Sequence, residues 1–140
     1  METSPDFYGS AIDIETSLDS VLECGSERFA GQFYQLLFEK FPELNEFFLG
    51  VNMQHQAAML TMALQVIVHY YCKPQRCSKE YLVVLGDRHR ERGVLHNDYE
   101  KFEHALLVTL AEFHDNDWHE ALAEQWRSAF RHAVEVMEQG

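Results

Sequence analysis

His89 is the residue whose type and position could do the most chemistry. It lies in Leu82 to Val94, LVVLGDRHRERGV. On a helix, Leu82, Leu85 and His89 are three and four residues apart, so the imidazole leaves the apolar face rather than the wet one. Arg88, Arg90 and Arg92 alternate around it, and with Lys73, Arg76 and Lys79 they make six of the chain's eleven Lys and Arg. Against Glu80, Asp87 and Glu91, that window carries about +3 in a chain of net charge −12. An apolar slot with one inward imidazole and a basic rim suits a flat, apolar, dianionic ligand that carries a metal. On spacing alone two other readings stay open: a core histidine bonded to a carbonyl, and a solvated arginine face.

The elements that must position such a residue are helical. The chain has 140 residues and 46% hydrophobic content, enough for one domain and too little for two. With only three Pro and seven Gly it does not read as a many-turned β sandwich. The first twenty residues hold Glu2, Asp6, Asp13, Glu15 and Asp19 and no Lys or Arg, unlike a secretory or transit signal. No apolar run approaches the ~18 residues a bilayer requires, so we expect a soluble cytoplasmic protein without a membrane partner. The acidity also speaks against a nucleic-acid partner, because the basic window is too local to track a phosphate backbone. Cys24, Cys72 and Cys77 lack zinc-site spacing and are expected to be free thiols. A bridge between Cys72 and Cys77, across the Lys73-Pro74 break, is the geometric alternative.

Residues 1–10 read as a flexible leader and 11–140 as a single domain. Helical spacing runs over Ala11 to Cys24, ended by Gly25, and over Ser26 to Lys40, where Gly31 is tolerable if another helix crosses closely there. Pro42 to Phe48 is a short turn with proline at its start. A long helix from about Asn52 to Tyr71 has Gln56 in the same stripe as Leu60, Leu64 and Ile67. A Cys72 to Ser78 loop leads to the His89 helix, which Gly93 closes. Asn97 or Asp98 caps the next helix, with Tyr99, Phe102, Leu106, Leu110 and Phe113 on its face. Asp115 or Asp117 caps the last, faced by Trp118, Leu122, Trp126, Ala129, Ala133 and Met137. Six or seven unequal helices make an all-α fold that is not an up-down four-helix bundle.

Four segments carry a more specific likeness. They are Phe33-Tyr34-Gln35-Leu36-Leu37-Phe38 with Phe41-Pro42-Glu43-Leu44 and Phe48; Gln56-Ala57-Ala58-Met59-Leu60; Leu85-Gly86-Asp87-Arg88-His89 with Gly93-Val94 and Tyr99; and Ala105 to Leu110 with Trp126 to Phe130. In this order and spacing, over roughly residues 14 to 138, the chain resembles the globins, in particular bacterial single-domain globins and the haem domain of flavohaemoglobins. The resemblance implies a globin fold of six to eight helices around haem b (iron protoporphyrin IX), with His89 as the proximal metal ligand. It places Phe48 on the ring and Leu85, Val94, Phe102 and Leu106 on the proximal wall. Tyr34 and Gln56 fall on the distal side with Leu60 capping the ligand pocket, and Arg88, Arg90 and Lys79 are the candidates for the propionates.

From that follow further expectations. Tyr34 and Gln56 would hydrogen-bond a polarised diatomic ligand, giving tight O2 binding with slow release, and CO and NO binding at the same place. Without the resemblance, Tyr34 could equally be a satisfied core tyrosine and Gln56 a solvent-facing amide; a one-residue slip would put His55 in the distal place, with six-coordinate iron. Flavohaemoglobins bond the proximal histidine within a Tyr and Glu network. Tyr99 supplies the first member here, whereas the chain ends at Gly140 before the acid, and Glu138 stands out of register. His89 Nδ1–H is therefore expected to donate to the Leu85 carbonyl, weakening any peroxidase-like cleavage. The gap from Gln56 to His89 is about one residue longer than in the globins it resembles, to be absorbed by the Cys72 to Ser78 loop. No reductase region is present, so NO dioxygenation would require an external reductase. A gas or redox sensor signalling through a partner, and a haem-free interaction module, are the alternative roles.

Overall fold

The computed structural model describes residues 11–139, so the expected leader lies outside the described residues. Six α-helices form: α1 Ile14–Glu23, α2 Ser26–Lys40, α3 Met53–Cys72, α4 Arg76–Glu91, α5 His96–His114 and α6 Glu120–Met137. Two 3-10 turns, Pro42–Phe48 and Asp115–Asp117, complete an all-α architecture without strands among the described residues. No helix there is long and apolar enough to cross a membrane.

Local chemistry sets the ends. Asp13 caps α1 by accepting from the Thr16 N–H at 2.9 Å. Gly25, at φ 97°, takes a backbone turn that L side chains rarely adopt, ending α1 and starting α2 one residue later. Asn52 caps α3 through Oδ1, which accepts from the Gln54 and His55 N–H groups. Three helix starts differ from expectation. The loop before α4 is shorter, since the helix begins at Arg76 behind Gln75. Leu95 precedes α5, with Asp98 in the first turn accepting the Leu95 N–H at 2.9 Å. His119, rather than either aspartate, caps α6 by accepting the Leu122 N–H at Nδ1, because Asp115 and Asp117 are spent in the intervening 3-10 turn.

The core is made by crossing pairs: α2 on α5 and α3, α6 on α3 and α4, with α1 laid against α3, α2 and α6. Phe29, Phe33, Leu37, Leu64, Leu82, Leu106, Leu110, Leu122 and Trp126 are fully buried there. Each such side chain contributes about 1.5–3 kcal/mol relative to exposure. The close helix approach expected at Gly31 occurs elsewhere, since nothing lies near an added Cβ at that position. It is at Gly86 that α4 meets backbone, where an added Cβ would overlap the Met137 carbonyl. That contact fixes the depth of α4, and therefore of His89, against the end of α6.

Candidate functional site

On α4, Leu82 is fully buried and His89, two turns on, is half-buried, as the apolar-face reading requires. Its Nδ1 lies 3.0 Å from the Tyr99 hydroxyl, and the rings are 5.7 Å apart at 50°. This corrects the expected bond to a carbonyl one turn back, such as that of Leu85: the turn after Gly93 brings Tyr99 to the ring, and its hydroxyl is the partner of Nδ1 instead. The Val94 N–H donates to the His89 carbonyl at 2.9 Å and holds that turn. Burial, then the Arg92 charge, moves His89 below the ordinary histidine range, which keeps the imidazole neutral. In the tautomer whose Nδ1–H donates to Tyr99, the neutral ring would present a lone pair at Nε2. No protein group among the described residues bonds that nitrogen.

Tyr99 is buried, and burial followed by the Glu138 charge pushes its hydroxyl up to about 12, so it stays protonated. Glu138 therefore lies nearer the proximal pair than its register suggests. It is spent on another group, because both its oxygens take the His96 Nδ1, at 3.1 and 2.9 Å. Tyr99 and Glu138 share the wall of a cavity of about 170 Å³ with Gly86, Arg90, Val94 and Met137. A second cavity, of about 350 Å³, reaches Tyr99 and Glu138 from the α5–α6 side. Neither borders Tyr34 or Gln56.

The other half of the candidate site is built by α2 and α3. Tyr34 is 5% exposed, and its hydroxyl oxygen accepts from Gln56 Nε2 at 2.9 Å. Burial, opposed by that bond, pushes Tyr34 up to about 12. The hydroxyl thus keeps its own proton, for which no protein acceptor stands among the described residues. Phe48 packs edge-on against Tyr34 at 5.3 Å and against Phe38 at 5.4 Å. Lys101 holds the turn that carries Phe48 by an ion pair to Glu43 at 2.9 Å. His55 is exposed, turned away from the face that carries Gln56.

The remaining expected residues divide. Leu60 and Leu106 are fully buried, while Leu85, Val94, Phe102 and Phe48 keep partial exposure. Phe102 lies 4.6 Å from Phe33, tying α5 to the residue beside Tyr34. Among the basic candidates, Arg88 and Lys79 are exposed. Arg90 points elsewhere, bonding Asp87 at 2.9 Å and the Met137 carbonyl at 3.2 Å. Arg92 is the arginine the propionate set omitted: it acts on His89 electrostatically, and its Nη1 reaches the Phe47 carbonyl at 3.5 Å. Its place in the alternating run was the available signal. The three cysteines are free, with Cys72 and Cys77 exposed.

No group of three His, Cys, Asp or Glu side chains among the described residues could hold a metal ion by itself. A single neutral imidazole with a free Nε2, and a buried hydroxyl with an unspent proton, fit a metal whose remaining ligands come from a cofactor, with a small polar ligand on the tyrosine side. A family model described as Globin matches residues 31–137. No curated protein matches the chain.

Proposed function

Since the chain belongs to the globin family, we propose that it holds haem b through His89 and binds O2, CO and NO beside Tyr34 and Gln56. The observation that carries this reading is a pair of polar atoms without a protein partner among the described residues, His89 Nε2 and the Tyr34 O–H. Leu85, Val94, Phe102 and Leu106 would face the ring on the proximal side, Phe48 would stack on it and Leu60 would cap the ligand. Arg88, Lys79 and Arg92 are the cations available to its propionates. Bound there, reduced haem supplies an open coordination position for a diatomic gas.

The chain's own residues do the rest. Tyr99 accepts the Nδ1 proton and so orients the imidazole with Nε2 outward. Because Tyr99 stays neutral and Glu138 is engaged by His96, the imidazole gains little anionic character, and the proximal side favours ligand holding over bond cleavage. Tyr34 offers a proton at Oη, and Gln56 keeps that hydroxyl turned so that the proton points away from the amide. A hydrogen bond to a polarised ligand contributes about 1.5–3 kcal/mol. Such a site retains O2 and serves scavenging better than delivery. NO dioxygenation, drawing electrons from an external reductase, is the reaction it suits, with neither nucleic acid nor membrane as a partner. Three free cysteines support a reducing, cytoplasmic setting.

Stopped-flow O2 release tests the assignment. Tyr34→Phe is expected to speed release by about ten- to a hundredfold, and an unchanged rate removes Tyr34 from the site.

A further inference from the structure

Away from the candidate site, three elements meet at a buried hydroxyl. Ser17 of α1 is fully buried, as is Trp126 of α6, whose indole N–H donates to Ser17 Oγ at 2.9 Å. His114, the last residue of α5 and 8% exposed, brings Nε2 to the same Oγ at 2.5 Å. An indole nitrogen can only donate, so Ser17 accepts there, and its own proton then has His114 Nε2 as acceptor. The chain runs in one direction, from Trp126 through Ser17 to a neutral imidazole. Around it, His114 stacks on Trp118 at 5° and meets Phe113 edge-on. Asp117, in the 3-10 turn, is the charged group that acts on His114; α1 faces it with Ser17 and α6 reaches it through Trp126, neither of them charged.

The start of α1 is tied to α6 by two more polar contacts. The Ile14 N–H donates to Gln125 Oε1 at 2.9 Å, and His119 Nε2–H donates to the Ile12 carbonyl at 3.0 Å. Because His119 Nδ1 already accepts from Leu122, its tautomer is set. The apolar part of the docking is carried by Ile14, Leu18 and Val21, the buried hydrophobes of α1, which packs against α3 and α2 as well as α6.

We infer that Trp126, Ser17 and His114 form an acid-sensitive latch, which holds α1 on the α5–α6 end when His114 is neutral and lets it go when His114 takes a proton. Protonation turns Nε2 into a donor, so Ser17 Oγ would face two donors and its own proton would lose its acceptor, while a charge would sit under Trp118 with only Asp117 nearby. Burial lowers the proton affinity of His114 in the docked form. The docked form is therefore fully favoured above the ordinary histidine range near 6.5. Its advantage falls as pH drops below that range, because the released form protonates first, and it levels off once the docked form protonates too. Release uncovers the apolar stripe of α1 and leaves α2 to α6, and with them His89, Tyr34 and Gln56, in place.

Hydrogen exchange on the full chain between pH 7.5 and 5 reads this directly. After correction for intrinsic rates, amides of α1 should exchange about tenfold faster at the acid end, with α3 and the middle of α6 unchanged. His114→Gln should remove that pH dependence. Equal acceleration in all helices, or the same α1 response in His114→Gln, overturns the latch. Should the variant not fold, an NMR titration of the unmodified chain decides. α1 amide shifts that follow the His114 ring support it, and shifts that follow His119 or no histidine overturn it.

Discussion

Two hydroxyl groups, Tyr34 and Ser17, are buried to nearly the same degree, at 5% and 0% exposure, yet they are used in opposite ways. Ser17 accepts from Trp126 and has His114 as a partner for its own proton. Tyr34 accepts from Gln56 and has no protein partner for its proton among the described residues. A buried polar group is expensive to leave unmatched. The matched hydroxyl therefore reads as structural and the unmatched one as open to a ligand. His89 resembles Tyr34 in this respect, anchored at Nδ1 and without a protein partner at Nε2 among the described residues.

Removing each hydroxyl should split the two regions most widely. Ser17→Ala leaves the Trp126 N–H buried without an acceptor and is expected to cost about 1–3 kcal/mol in urea unfolding. Tyr34→Phe, which takes away a group already short of a partner, should cost less than about 1 kcal/mol in the same assay. Similar losses from both would erase the distinction.

The backbone offers a second contrast. Gly86→Ala forces a methyl into the Met137 carbonyl and should destabilise by about 1–3 kcal/mol. Gly31→Ala, on an open helix surface, should stabilise by about 0.5–1 kcal/mol in thermal unfolding.

The smallest effect concerns an exposed pair. The Glu138 bond raises His96 above the ordinary histidine range, so its contribution is present in full below about pH 6.5 and fades as pH rises through the raised value. That sign is opposite to the one for His114. His96→Gln should remove only this small loss of stability with rising pH, an effect that 1 M salt also suppresses.

Helix positions and the ligand-bearing face of α4 were legible in the chain because they depend on residues three and four apart. Ser26 to Lys40 and Pro42 to Phe48 needed nothing more. The family match over residues 31–137 begins within α2, so the likeness proposed from residue 14 is carried by the later helices. What was not legible depends on groups far apart. Tyr99 reaches His89 only after the chain turns at Gly93, and Gly86 looks like any helical glycine until Met137 is laid across it. Ser17 is 97 and 109 positions from His114 and Trp126, with no local pattern to join them. The caps of α5 and α6 differed for a related reason: several Asp and Asn stand near those two starts, and only the path of the turn selects among the candidates.

The central claim is that His89 Nε2 takes the iron of haem. It is tested by adding hemin to the purified chain, reducing with dithionite and introducing CO. The expected result is a Soret band that shifts with CO in the unmodified chain, is lost in His89→Gly and returns when imidazole is supplied. A chain that takes up no hemin, or a His89→Gly variant with the same Soret band and CO shift without imidazole, contradicts it.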